Sequence, residues 1–153
     1  MRGSRTIRRG FTLIELAVVV MILGILAAIA VPHFFGVSKQ ATDGSAKQTL
    51  SVIRAAIEQY TAEHKGALPG SAGDQTSFKA DLFDYLRGAD FPNCPVGEAK
   101  NNVVRIASGT GPAAASIGGT AATDSWVYQY ETGDFHINST QVSTDGVTTY
   151  DSF

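Results

Sequence analysis

The hydrophobic positions fall into three patterns along the chain. Phe11–Val31 is a continuous apolar run of 21 residues with a single charge, Glu15. As a helix it would be about 31 Å long, which matches the hydrocarbon core of a bilayer. The pattern then becomes amphipathic over His33–His64, where Leu50, Ile53, Ile57 and Tyr60 recur at +3, +4 and +3. Val37 and Ala41 extend that stripe upstream, while Gln48, Arg54, Glu58 and Glu63 fall mostly on other faces. Gly66 followed by Pro69 stops the helix. The expectation is one helix over Phe11–Lys65, with an apolar half and an amphipathic half.

After a Gly/Pro/Ser-rich loop at Gly66–Gln75, Phe78, Leu82 and Leu86 at i, i+4 and i+8 predict a short helix over Ser77–Arg87. The period then shifts to two. Val103–Ala107 predicts a strand. Trp126, Tyr128 and Tyr130 alternate with Val127, Gln129 and Glu131; Thr132-Gly133 turns the chain, and Asp134–Asn138 returns with Phe135 and Ile137 on one face. Gln141–Thr144, Asp145-Gly146 and Val147–Tyr150 predict a second hairpin. Ser108–Asp124, rich in Gly, Ala, Thr and Ser, has no period and predicts a long surface loop. The helix stripe needs a cover, and a small antiparallel sheet is the economical one. The fold class expected is therefore α+β, with a head over 66–153.

Charge sharpens this division. The chain carries a net charge of −2, but four of its seven arginines (Arg2, Arg5, Arg8, Arg9) lie in Met1–Gly10. Lys65–Phe153 carries five cations against ten anions, a net of −5, so the head lacks the basic footprint of a nucleic-acid binder. Arginines directly before the apolar run hold that end in the cytoplasm. The run can thus be a secretory signal with Ala28-Ile29-Ala30 as its cleavage site, or a one-span anchor. Neither needs Glu15, a carboxylate that is costly in lipid and that calls for a partner.

Arg9-Gly10-Phe11-Thr12-Leu13-Ile14-Glu15-Leu16 resembles the class III leader and N-terminus of type IV pilins and of the pseudopilins of type II secretion. The likeness continues through Ala17–Ala30 to Pro32. Trp126–Asn138 is similar to head hairpins of the G-like group of that family. The resemblance implies the type IV pilin fold and three segments: a leader over 1–10, a helix over 11–65 whose residues 11–31 form the transmembrane segment or filament core, and a globular head over 66–153. It implies that a prepilin peptidase cuts after Gly10 and methylates the new amine of Phe11. That amine would then meet Glu15 of another subunit, and the pairing would select one stagger among the many that apolar packing accepts. Gly24 and Pro32 both weaken the helix ladder and mark a segment that can bend or unwind. The implied partners are copies of this chain and related pilins, the peptidase, an inner-membrane assembly platform and the inner membrane itself. The implied location is a single-pass precursor in a bacterial inner membrane, then a surface pilus or a periplasmic pseudopilus. A secreted binding module, freed of its first 30 residues, is the alternative.

No enzyme is expected. His33, His64 and His136 have no ligand-like spacing to each other or to Cys94, which reads as a small buried hydrophobe. Gly109-Thr110-Gly111 and Gly118-Gly119 lack the Lys-Ser/Thr of a phosphate loop. No cofactor or metal is expected; calcium near Asp134, Asp145 and Asp151 is the minor reading against solvated turn aspartates. The head lacks the Asp-Pro-Trp-Gly segment of the major pseudopilin pattern, which puts that family's calcium site in doubt. It also lacks the paired cysteines that staple many type IV pilin heads.

Overall fold

A computed structural model of the chain describes residues 10–88, 90–108 and 123–153, and of residues 32–35 the backbone alone. The leader arginines and most of the loop expected over Ser108–Asp124, with its Gly109–Gly111 and Gly118-Gly119 pairs, lie outside the described residues. So do the side chains of His33, Phe34 and Phe35.

The elements run α1 (Leu13–Glu63), α2 (Gln75–Leu82), β1 (Val104–Ala107), β2 (Trp126–Gln129), β3 (Phe135–Ile137) and a 3-10 turn at Tyr150–Ser152. The long helix is present, with ends two residues inside those expected. The chain divides into two compact units, 1–38 and 39–153. In the first, the described residues are exposed from Gly10 to Val31. They provide a helical segment long and apolar enough to cross a membrane, by length and composition.

In the second unit, α1 packs its stripe against a three-stranded sheet of order β1-β2-β3. Ala46, Leu50, Ile53, Ala56 and Ile57 are buried there, with Tyr60 packed at the edge. Val37 and Ala41, expected on the stripe, are exposed. The cover begins instead at Asp43, which meets Thr144 and Tyr150.

The sheet is mixed, which corrects the antiparallel expectation. β2 and β3 form the expected antiparallel hairpin, with Trp126 opposite Ile137 and Tyr128 opposite Phe135, and Gly133 turns it at φ +81°. β1, however, runs parallel to β2, pairing Val104 with Trp126 and Ala107 with Gln129. A parallel return needs a connection of about a dozen residues or more, and the stretch from Ala107 to Trp126 is longer than that. The second hairpin also differs. It keeps its turn but reduces to one bridge, Val142 to Thr149, and the chain enters the 3-10 turn at Tyr150. Finally, α2 begins earlier than expected, because the Asp74 carboxylate caps it by accepting the N–H groups of Thr76 and Ser77 at 2.8 and 2.9 Å. It stops at Leu82, yet Leu86 is still buried beside Phe78 and Leu82.

Aromatic side chains fill the centre. Phe78 lies 4.2 Å from Tyr128 between ring centroids, and Trp126 lies 5.2 Å from Phe135. The indole N–H of Trp126 donates to the Pro92 carbonyl at 3.1 Å. Gly70 sits against this core at φ +69°, and a Cβ there would fall 2.9 Å from Phe78 Cβ and 3.2 Å from its Cα. An alanine would meet both the left-handed penalty and an overpacked neighbour. Gly70→Ala is expected to cost about 2–4 kcal/mol. Urea unfolding of the full chain in detergent, followed by the fluorescence of Trp126, measures it.

Candidate processing and assembly site

The sequence singled out Gly10, Phe11, Glu15, Gly24 and Pro32. Gly10, Phe11 and Thr12 precede the helix and are not helical. Gly10 is exposed with no atom within 4 Å of a would-be Cβ, and Phe11 is 75% exposed. The bond between them therefore stands in open, non-helical backbone. A protease cleft binds extended chain, whose amides a helix has already used.

Glu15 lies one turn further on. Its Oε2 accepts the Thr12 backbone N–H at 3.0 Å and the Thr12 hydroxyl at 2.9 Å, while its own N–H donates to Thr12 Oγ1 at 3.3 Å. This is a capping box, in which Thr12 and Glu15 satisfy each other across the first turn. It fixes the start of α1 and gives the carboxylate a partner within its own chain. The sequence carries the signal, a threonine three residues before a glutamate, although the resemblance draws attention to Glu15 alone. The anionic side chain also sits where the helix N-terminus favours negative charge.

α1 continues through both Gly24 and Pro32. No atom lies within 4 Å of a would-be Cβ at Gly24, so no contact inside this unit requires glycine there. Proline has no N–H, so the carbonyl of Ala28 receives no helical bond from it.

Two residues on the second half of α1 carry contacts that periodicity did not assign. Asp43 is buried. Its Oδ2 accepts the Thr144 N–H at 2.8 Å and also the Thr144 hydroxyl, and its Oδ1 accepts the Tyr150 hydroxyl at 2.7 Å. Burial alone would raise its pKa, but the Thr144 and Tyr150 bonds, helped by Lys47, outweigh it and hold the carboxyl below its ordinary value. Burial and the bond to Asp43 push the Tyr150 phenol up to about 12. Arg54 donates twice to the Phe135 carbonyl, at 3.1 and 2.9 Å, and once to the Phe153 carbonyl at 2.9 Å. Burial lowers its pKa, against the pull of Asp134. The Lys47 ammonium lies 4.3 Å from the Phe153 ring centroid. Asp43, Lys47 and Arg54 thus bind the segment 141–153 to α1. A charged residue three positions before Ala46, on the buried stripe, was the available signal for Asp43. Arg54 had none.

The three aspartates considered for calcium have separate roles. Asp145 Oδ1 accepts the N–H groups of Val147 and Thr148 at 2.9 and 2.8 Å. Asp134 accepts the Thr132 hydroxyl at 2.8 Å, and Asp151 donates its N–H to the Ser139 carbonyl at 3.0 Å. Among the described residues, no three of His, Cys, Asp and Glu are grouped to hold a metal ion. Cys94 is buried, and burial pushes its thiol up to about 11, far from a reactive thiolate. His64 stacks on Tyr60 at 3.9 Å.

Comparison with known proteins covers both parts of the chain. Residues 5–31 match the family described as the prokaryotic N-terminal methylation motif. The chain is 47% identical over 58 residues to the type IV narrow pilus major component PilA5 of Thermus thermophilus, which covers 38% of this chain and 50% of that protein. It is 32% identical over 119 residues to a fimbrial protein of Dichelobacter nodosus, covering 74% of each. It is 47% identical over 57 residues to the type II secretion system core protein G of Pseudomonas aeruginosa, covering 37% of this chain and 40% of that one. The chain thus spans half the length of PilA5 and about three quarters of the fimbrial protein. No solved structure matches it.

Proposed function

We infer that this chain, which belongs to the type IV pilin and pseudopilin family, is a structural subunit that polymerises into a filament. It is made as a precursor held in the bacterial inner membrane by residues 11–31. A prepilin peptidase removes residues 1–10 by cutting after Gly10, and the new amine of Phe11 is methylated. An inner-membrane assembly platform then moves the subunit into the filament. The apolar segment passes from lipid to a filament core of the same polarity, so little hydrophobic free energy changes hands. Glu15 exchanges its bonds to Thr12 for the ammonium of a neighbouring Phe11, and Gly24 and Pro32 let the helix adjust. The head forms the outer surface.

The observation that carries this reading is the juxtaposition at the start of α1. Open backbone at Gly10–Phe11 directly precedes an exposed apolar helix of bilayer length whose first turn holds one carboxylate. The alternative, a secreted module cut at Ala28–Ala30, requires cleavage inside α1, where the backbone amides are already used. Both surface pili and secretion systems are represented among the relatives, so the destination of the filament is decided by fractionation.

Intact mass with N-terminal peptide mapping tests the reading, on filaments sheared from cells and on membranes separately. The expected species begins at N-methylated Phe11. Its dominance in the sheared fraction marks a surface pilus, and its retention in the envelope marks a pseudopilus. A chain beginning near Val31 would overturn the filament reading.

A further inference from the structure

Two aspartates in this chain are followed by glycine, Asp43 and Asp145. Such a pair is chemically labile. Glycine has no Cβ, so its amide nitrogen can approach the side-chain carbonyl carbon of the residue before it closely. The nitrogen bonds to the aspartate Cγ and loses its proton, while a carboxyl oxygen leaves as water. The succinimide ring that results takes up water at either of its carbonyls. It opens to aspartate or to isoaspartate, in which the main chain runs through the side-chain carbons. Water is the only co-reactant, and nothing is oxidised or reduced.

The fold holds the two pairs differently. Gly44 lies inside α1, where the helical bond ladder uses its amide. Asp145-Gly146 lies in an exposed turn, and no atom stands within 4 Å of a would-be Cβ at Gly146. Packing therefore does not restrain this pair; hydrogen bonds do. Gly146 N–H donates to the Ser143 carbonyl at 3.1 Å. Asp145 Oδ1 accepts the N–H groups of Val147 and Thr148, which holds the carboxylate over the residues that follow Gly146. Bonds from Thr148 and Val147 also keep this carboxyl below its ordinary pKa, so the neutral acid from which water departs is scarce.

The turn is in turn closed from α1. Ser143 N–H donates to the Thr148 carbonyl at 2.8 Å. Thr144, directly before Asp145, gives its N–H and its hydroxyl to Asp43, and Tyr150 gives its hydroxyl to the same carboxylate. Anchors on Asp43 thus lie on both sides of the labile pair.

We propose that Asp145-Gly146 is a site of succinimide and isoaspartate formation gated by the bonds of Thr144 and Tyr150 to Asp43. While these bonds hold, the turn cannot reach the ring geometry. When they open, it can, so the rate follows the fraction of time that the 141–153 segment is off α1. The product is a lasting mark. Isoaspartate lengthens the main chain by one carbon and moves the carboxylate off the N–H groups of Val147 and Thr148, so a marked turn does not close as before. The proposal stands on the head alone and is independent of the filament reading.

The test incubates the full-length chain in detergent at neutral pH, in water enriched in the heavy oxygen isotope. Each passage through the succinimide leaves one solvent oxygen at residue 145. Chymotryptic digestion in ordinary water then yields His136–Tyr150, in which Asp145 is the only carboxylate side chain. Fragment ions place the label at residue 145, and isoaspartate elutes apart from aspartate at equal mass. The wild-type rate is expected to lie more than about a hundredfold below that of the chain unfolded in urea, and Asp43→Ala to recover at least about tenfold. Tyr150→Phe removes one bond and keeps the ring; it covers the case in which Asp43→Ala does not fold, and an intermediate rate is expected. The fluorescence of Trp126 reports whether each variant is folded. Wild-type labelling at the urea rate overturns the proposal, as does an unfolded chain that labels Asp145 no faster than Asp134. A folded variant of either kind that labels at the wild-type rate overturns it as well.

Discussion

Glu15→Ala is expected to leave a chain that is cut after Gly10 and stays in the membrane without entering filaments. The capping box makes a sharper comparison available. Glutamine at position 15 can still accept from the Thr12 N–H and hydroxyl, because the box accepts Glu or Gln at its third position. It cannot pair with an ammonium. Glu15→Gln therefore keeps the local bonds seen at the start of α1 and removes only the charge. If the charge selects the stagger between subunits, both variants are processed and both lose assembly by more than about tenfold, since a carboxylate buried in an apolar core needs its cation. The measurement is the ratio of filament to membrane pool at equal leader removal. Wild-type assembly by Glu15→Gln would show that the hydrogen bonds, and not the ion pair, are what assembly uses.

Asp43→Ala is expected to loosen the 141–153 segment from α1. It removes the acceptor for the Thr144 N–H, the Thr144 hydroxyl and the Tyr150 hydroxyl together. Each buried donor left without a partner costs about 1–3 kcal/mol, and the Tyr150 hydroxyl retains some access to water, so a loss of about 2–4 kcal/mol is expected. That is a large share of a typical domain's stability. The same site predicts an acid limb. The Asp43 pKa is lower in the folded chain than its ordinary value, so its stabilisation is fully present above about pH 4 and is lost as pH falls through the folded value. The urea midpoint of the wild type should drop below about pH 4 more steeply than that of Asp43→Asn. Parallel profiles for the two would remove Asp43 from the account of acid stability.

Local pattern reached those parts of the fold that local forces determine. The 3.6-residue stripe around Leu50–Ile57 and the alternation of Trp126–Tyr130, turning at Gly133, each satisfy themselves within a short stretch of chain. The parallel partnership of β1 and β2 does not; nothing in Val103–Ala107 states which neighbour it will choose, because the choice is made across a long connection. The second hairpin lost its strands for a related reason. Tyr150 directs its hydroxyl to Asp43, and the chain turns into a 3-10 bend there. At the start of α1, Gly10, Phe11 and Glu15 were singled out by the resemblance, whereas the bonds between Thr12 and Glu15 follow from a threonine and a glutamate three positions apart. Arg54 was beyond reach, since its acceptors are carbonyl groups, and a carbonyl belongs to every residue alike.

The bonds from Asp43 and Arg54 to the 141–153 segment span 99 to 107 positions of sequence. Contacts of such separation close late, because the loop entropy is lost before they form. During synthesis the apolar run emerges first, and the stripe at Leu50, Ile53 and Ile57 follows without its cover. In the filament reading proposed above, the apolar run thus reaches the bilayer while the head is still open. The cover over the second half of α1 is complete only when the 141–153 segment has reached Asp43 and Arg54.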